Sequence, residues 1–207
     1  MANIGIYAGT FDPVHTGHIT FALQAMEVAN LDHVYFLPER KPRSKKDVEH
    51  YAHRMAMLSR ALKPHPKFHE LEMVEAQFSI KRTLPFLNKK FNGDNLVFLF
   101  GSDVVRHIGE WPNSSQLLKN GEFIIGLRNK DKNKEIKGII STWKDQPKSV
   151  YIVSSYAPDI TSKKIRGALR NNQQTSGLLK SVEKYSGSNW LYVSLSNVDV
   201  NNNSLIE

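Results

Sequence analysis

The sequence of 207 residues contains no cysteine, which excludes disulfides, thiolate metal ligands and cysteine nucleophiles. No apolar run approaches the roughly 18 residues that a membrane-spanning helix needs, and the longest runs have the length of strands. The N-terminus lacks the basic and apolar segments of a signal peptide. These absences predict a cytoplasmic protein that has no membrane partner.

Acidic residues are in the minority. Lysine and arginine number 28 against 20 aspartates and glutamates, so the net charge is +8. Such a surplus favours anionic partners, among them nucleic acid, acidic membranes and phosphorylated small molecules. Five of the cations lie between residues 40 and 46. A solvated loop and a phosphate site explain that cluster equally well.

Strand-like and helix-like segments alternate along the chain. Apolar residues with the spacing of a buried helical face, such as Ile19, Ala22 and Met26, separate short apolar runs. The predicted strands span residues 3–8, 33–37, 67–74, 96–100, 123–127 and 150–154. This alternation predicts an α/β protein with a doubly wound parallel sheet, whose ligands bind at the carboxyl ends of the strands.

Length and hydropathy predict one domain and a tail. Hydrophobic residues make up 40% of the chain, an ordinary globular share, and we assign residues 1–193 to a single domain. Residues 194–207 include three consecutive asparagines and little that could pack, which predicts a flexible tail. The polar stretch 129–146 fits either a loop or an exposed helix.

The segment from Gly9 to His18, between the first strand and the first helix, carries the chemistry. It is neither a Walker loop nor a dinucleotide fingerprint. His15 and His18 stand three residues apart at a helix start, so both imidazoles lie on one side of the first turn. Free backbone N–H groups and the positive end of the helix dipole complete an anion site. Gly9 and Gly17 leave room for close approach.

Two histidines alone would also fit an incidental pair or two ligands of a zinc ion. Zinc usually takes at least three protein ligands, and no third partner is evident nearby, so no metal site is predicted. The complete string G-T-F-D-P-x-H-x-G-H is far more specific than the histidine pair. It resembles the signature of the nucleotidyltransferase superfamily, which joins a nucleotide to a phosphorylated acceptor and has a Rossmann-like fold.

A second superfamily motif, I-S-S-T-x-I-R, is partly matched by residues 160–166. Ser162 and Arg166 agree with it, whereas Thr161 and Lys163 depart from it. Thr161 or Ser162 can cap the helix that follows, and Arg166 lies about one turn on, where it can bind a phosphate. Without the first motif, a surface salt bridge would be the favoured interpretation of Arg166.

Within the superfamily, the chain is most similar to the bacterial nicotinate-nucleotide adenylyltransferases, from Ile4 to about Val193. The similar features, in order, are Pro38, Pro42 and Lys45 in a basic loop, Arg54, Met57 and Leu58 in R-x-x-M-L, Gly101 and Asp103 in G-x-D, Trp111, Arg128, and Leu191 with Tyr192. The family's Ser-Tyr-Thr-x-x-Thr-Leu is represented only by Thr83 and Leu84, and Ser44 replaces its histidine.

The resemblance implies that ATP adenylylates nicotinate mononucleotide with the help of Mg²⁺, giving nicotinate adenine dinucleotide and pyrophosphate in NAD biosynthesis. It implies three groups of residues: catalytic His15, His18 and Arg166; ATP-binding Gly9, Thr10, Phe11, Lys45, Thr161 and Ser162; and acceptor-binding Thr83, Asp103, Trp111 and Arg128. For Asp103 a helix N-cap is an alternative role, and for Trp111 a place in the core.

Three alternatives remain open at this point. The same chemistry could serve nicotinamide mononucleotide or another phosphorylated acceptor, because the segment from Phe78 to Leu84 departs from the family. The chain could also be a non-catalytic nucleotide sensor or nucleic-acid binder. Nucleic acid is disfavoured, since the sequence has no basic groove interspersed with aromatic residues. The sequence leaves open whether homo-oligomers form.

Overall fold

The computed structural model describes residues 1–43, 45, 47–73, 75–119, 121–128, 131–154 and 159–193. Within them, six parallel strands form a sheet in the order β3-β2-β1-β4-β5-β6. The strands are β1 (Asn3–Gly9), β2 (His33–Pro38), β3 (Phe68–Glu70), β4 (Asn95–Gly101), β5 (Glu122–Leu127) and β6 (Ser149–Ser154). This order confirms the predicted doubly wound parallel sheet.

Helices cover both faces of the sheet. They are α1 (Thr16–Val28), α2 (Tyr51–Leu62), α3 (Ile80–Lys90), α4 (Ser102–Ile108), α5 (Ser114–Leu118), α6 (Asn133–Ser141), α7 (Ser162–Arg170) and α8 (Lys180–Ser188). Successive residues of a strand face opposite sides, and β4 shows this most clearly. Its Val97 and Leu99 join the core layer beneath α1 and α2, whereas Phe98 and Phe100 join the layer beneath α3 to α6.

Three local predictions differ from the structure. The strand predicted over residues 67–74 is confined to Phe68–Glu70, because Leu71 and Met73 leave the sheet edge and bury their side chains in the core instead. The helical spacing of Tyr51, Met55, Leu58 and Leu62 predicts the buried face of α2, but the structure buries Arg54 in place of Met55. The short helices α4 and α5 were not predicted, since neither is long enough to show a helical period.

The polar stretch 129–146 contains α6, whose Ile136 and Ile140 lie four residues apart and pack on the sheet. No helix in the described part of the chain has the length and apolar character needed to cross a membrane. The predicted tail, residues 194–207, lies outside the described residues. The assignment of residues 1–193 to one domain stays a prediction.

Candidate active site

A cavity of about 580 Å³ opens at the carboxyl ends of β1 and β4. These strands are neighbours in the sheet, yet the chain leaves them towards opposite faces, which creates a crevice between their ends. The predicted residues that line this cavity are Gly9, Thr10, Phe11, His15, His18, Lys45, Asp103, Trp111, Arg128, Thr161, Ser162 and Arg166. Thr83 is the one predicted residue outside this lining.

The two histidines lie at the start of α1, with their ring centroids 3.8 Å apart. His15 is the N-cap residue, and its backbone N–H donates to Nδ1 of His18 at 3.2 Å. Because Nδ1 of His18 accepts this bond, a neutral His18 carries its proton on Nε2. His18 therefore has a fixed tautomer with one N–H left to donate to a ligand.

Both rings are neutral near pH 7. Burial, aided by the nearby Arg128, lowers the pKa of His15 to about 4. Burial also lowers the pKa of His18 well below its ordinary value, and His15, Arg128 and Lys45 add to the effect. Nδ1 of His15 is buried without a hydrogen-bond partner among the described residues. An unpartnered buried nitrogen of this kind is suited to a ligand.

Acid is expected to destabilise the fold through His15. Its pKa of about 4 in the folded protein lies below the ordinary value of 6.5, so between these two pH values the unfolded chain binds a proton that the folded chain excludes. The free energy of unfolding should fall by about 1–3 kcal/mol as the pH drops through it. Urea titrations at several pH values would measure this loss. His15→Asn should remove that share of it, and a parallel pH dependence of both proteins would contradict the assignment.

Gly9 and Gly17 leave room for the rings of Phe11 and His15, which belong to the same motif. A Cβ at Gly9 would lie 2.9 Å from the ring of Phe11, and a Cβ at Gly17 would lie 3.0 Å from Nδ1 of His15. Both distances are shorter than ordinary van der Waals contact. Any larger residue at Gly17 would therefore push the His15 ring away from its place over the helix start.

The second motif is joined to the first by direct contacts. Thr161 caps α7, because its hydroxyl accepts the Lys164 N–H at 3.2 Å. Ser162 instead donates its hydroxyl to the Pro13 carbonyl at 3.0 Å. Nη1 of Arg166 donates to the Asp12 carbonyl at 2.6 Å, and its Nε is buried without a partner among the described residues. The start of α7 thus completes the wall beside the histidines.

Asp12 is the centre of this junction, although sequence reasoning gave it no role. Its carboxylate is 1% exposed and lies 3.6 Å from Nη1 of Arg166. The hydroxyl of Tyr192 donates to Oδ1 at 2.7 Å, and the Glu49 N–H donates to Oδ2 at 3.4 Å. The motif contained Asp12, but no sequence signal links it to a tyrosine 180 residues away.

The basic loop lies across the same junction. Nζ of Lys45 donates to the Thr10 hydroxyl at 2.6 Å, and burial lowers the pKa of this lysine. Arg54 supports the loop from below, with its side chain 1% exposed. Its guanidinium donates to four backbone carbonyls, those of Thr10 (2.7 Å), Glu39 (2.8 Å), Glu49 (3.0 Å) and Arg40 (3.1 Å).

Of the predicted acceptor-binding residues, Asp103 and Arg128 line the cavity and Thr83 does not. Asp103 lies in the first turn of α4 and forms an ion pair with Arg128 at 3.2 Å. The N-cap of α4 is Gly101, so the alternative role of Asp103 as N-cap is wrong. The structure does not bring Thr83 to the cavity. Its hydroxyl is buried in the first turn of α3, where it accepts the Ser79 N–H at 2.9 Å.

Three aromatic rings form an apolar niche in the cavity wall. Trp111 is half-buried and packs against Phe78 and Phe100, with ring centroids 6.2 and 6.3 Å apart. Phe78 and Phe100, which sequence reasoning did not select, also line the cavity. A flat ring and a polyphosphate could therefore occupy one cavity side by side.

Within the described residues, no group of three or more histidines, aspartates and glutamates could hold a metal ion.

Known proteins are similar to this chain over most of its length. The cytidylyltransferase-like family model matches residues 6–168. A probable nicotinate-nucleotide adenylyltransferase of Coprothermobacter proteolyticus is 34% identical over 192 residues, which cover 91% of this chain and 94% of the relative. One from Clostridium perfringens is 28% identical over 198 residues, covering 90% and 98%.

Solved structures show the same fold. The chain superimposes on the Plasmodium falciparum nicotinic acid mononucleotide adenylyltransferase complexed with NaAD with a TM-score of 0.78, at 18% identity, over 93% of this chain and 98% of that one. For a putative nicotinate-nucleotide adenylyltransferase from Vibrio parahaemolyticus, the TM-score is 0.63 at 14% identity, over 93% and 96%. At these identities the likeness is one of fold.

Proposed function

The chain belongs to the cytidylyltransferase-like family and, within it, to the nicotinate-nucleotide adenylyltransferases, and from this premise we propose that it adenylylates nicotinate mononucleotide with ATP. The products are nicotinate adenine dinucleotide and pyrophosphate, and the step belongs to NAD biosynthesis in the cytoplasm. One observation carries the proposal: a buried, neutral histidine pair with a fixed tautomer faces the cavity from a helix start.

The reaction is an in-line displacement at phosphorus. A phosphate oxygen of the acceptor forms a bond to the α-phosphorus of ATP, while the bond from that phosphorus to the bridging oxygen breaks. The electron pair of the broken bond leaves with pyrophosphate. A phosphate monoester has a second pKa near 6, so at pH 7 it attacks without a general base. The protein has to align two anions and stabilise the charge that develops.

The phosphate-binding residues are those around α1 and α7. His18 donates its Nε2–H to the α-phosphoryl oxygens, where charge builds up in the transition state, and His15 contacts the neighbouring phosphate. Arg166 and Lys45 bind the β- and γ-phosphates. Their cationic side chains both line the cavity. Backbone groups of Gly9, Thr10 and Phe11, with Thr161 and Ser162, complete the ATP site.

The acceptor lies on the side of β4 and β5. Trp111 and its aromatic neighbours contact the pyridine ring, and Asp103 accepts hydrogen bonds from ribose hydroxyls. Arg128, which is paired with Asp103, lies where it can contact the acceptor phosphate. Thr83 contributes indirectly, since its hydroxyl fixes the first turn of α3 next to Phe78.

The donor set fits Mg²⁺ that ATP itself brings. Among the described carboxylates in and around the cavity, Asp12 is bonded to Tyr192 and Arg166, Asp103 is paired with Arg128, and Glu39 accepts the Phe78 N–H. Mg²⁺ keeps several waters and accepts phosphate oxygens as ligands, so it needs no cage of carboxylates here. When bound, it would neutralise charge on the β- and γ-phosphates.

Pyrophosphate release from ATP and Mg²⁺ tests the proposal. Purified protein should release pyrophosphate with nicotinate mononucleotide, more slowly with nicotinamide mononucleotide, and not without an acceptor. If folded protein released no pyrophosphate with either pyridine acceptor, the result would contradict the proposal and point to another phosphorylated acceptor. Salt-sensitive binding of RNA or DNA without pyrophosphate release would favour the non-catalytic alternative instead.

A further inference from the structure

The basic loop and the aromatic niche are in direct contact. The Lys41 N–H donates to the Ala76 carbonyl at 2.8 Å, and the Phe78 N–H donates to Oε1 of Glu39 at 3.1 Å. These two bonds hold the loop against the segment that ends in Phe78. A cation on this part of the loop is therefore fixed beside the niche.

Arg43 is the cation in that place. It lines the cavity, its Nε donates to Oε1 of Gln77 at 2.8 Å, and its Nη2 donates to the Phe78 carbonyl at 3.2 Å. Both partners are neutral oxygens, and Nη1 donates to none of the described residues. Within the described residues the guanidinium thus forms no ion pair and keeps a free edge beside the aromatic wall.

Other cations of the cavity have different partners or lie elsewhere. The two further guanidinium groups among the described lining residues are each paired with an aspartate, Arg128 with Asp103 and Arg166 with Asp12. Lys45 donates to Thr10, and Lys163 lies in the first turn of α7, both on the phosphate-binding side. Arg43 is therefore the cation best placed to accept a new anion that arrives together with a flat ring.

We infer that Arg43 binds the ring carboxylate of the acceptor and makes the site prefer an acidic pyridine over its amide. The inference rests on the proposed function. A guanidinium binds a carboxylate through two parallel, charge-assisted hydrogen bonds, whereas a carboxamide offers one neutral oxygen and an N–H₂ group that cannot accept. The aromatic niche holds the ring, and Arg43 binds the carboxylate on it.

Arg43→Ala should lower kcat/KM for nicotinate mononucleotide about 10- to 100-fold, the range for a lost charge-assisted hydrogen bond. It should change kcat/KM for nicotinamide mononucleotide less than about 3-fold, and the KM for ATP less than about 3-fold. Arg43→Lys keeps the charge without the planar fork and should give an intermediate preference. These ratios separate a binding role from general damage to the loop.

Arg40→Ala is the matched control. Arg40 belongs to the same loop and binds the same neighbouring segment, through Glu72 and the Met73 carbonyl, but it does not line the cavity. Its loss should leave the acceptor preference unchanged.

Equal losses of kcat/KM for both acceptors in Arg43→Ala, or a raised KM for ATP alone, would overturn the inference. So would a wild-type protein that prefers nicotinamide mononucleotide, although adenylyl transfer would stand. Silence of the wild type with both acceptors would overturn the proposed function, and the inference with it.

Discussion

His18→Ala is expected to lower kcat by about 10²- to 10³-fold, because one positioned donor to the transition state is lost. The dissociation constant for ATP should change little, since the cations of the site remain. Stability should fall by only about 1 kcal/mol, as the His15 N–H loses its acceptor. Single-turnover pyrophosphate release and ATP titration measure the two effects separately.

The control for this variant is His107→Ala. His107 is exposed in α4 and does not line the cavity, so its loss should leave kcat unchanged. If His18→Ala weakened ATP binding as strongly as it slowed turnover, His18 would be a ground-state ligand. A kcat unchanged by the substitution would refute the catalytic role altogether.

Arg54→Met is expected to be the most destabilising single change around the site, at about 3 kcal/mol or more. Four backbone carbonyls lose a charged donor in a place that is closed to water, and each buried unsatisfied group carries a penalty of its own. Because the basic loop and the motif lose their common support, the KM for ATP should rise as well. Urea unfolding and ATP kinetics measure the two consequences.

Arg60→Met on the same helix provides the comparison. Arg60 is exposed, and within the described part of the chain its guanidinium donates only to the Ala56 carbonyl of its own helix and lies over the Tyr185 ring, so its loss should cost about 1 kcal/mol or less. Equal destabilisation by the two variants would show that the four carbonyls of the loop find other donors. Arg54 would then have no special part in holding the site.

Features that depend on residues close together in the sequence were predictable. The continuous apolar run of β4 indicates a strand that is buried on both faces, and the spacing of three and four in α1 indicates the buried face of a helix. The alternation of such segments along the chain predicts the parallel sheet. The histidine pair was predictable because a three-residue spacing at a helix start leaves little freedom. The second motif was harder, and only the structure distinguishes the cap, Thr161, from Ser162, which binds the Pro13 carbonyl.

Contacts between distant segments were not predictable. Nothing in the sequence around Arg43 indicates that it lies against Phe78, and nothing around Met55 indicates that Arg54 is the buried residue of that turn. Both outcomes depend on the complete tertiary arrangement. The burial of Thr83 was missed for a different reason, since its hydroxyl accepts the Ser79 N–H in a local bond that the resemblance to a binding segment could not show.

The position of Asp12 between elements from both ends of the fold has a consequence for synthesis on the ribosome. The histidine motif is made well before Arg166 and Tyr192, which both bind Asp12 and follow it in the chain by 154 and 180 residues. Strand β1 likewise cannot pair with β4, its neighbour in the sheet, until β4 has been made. A nascent chain therefore carries the motif long before it has a complete phosphate site, which forms only after α7 has been made.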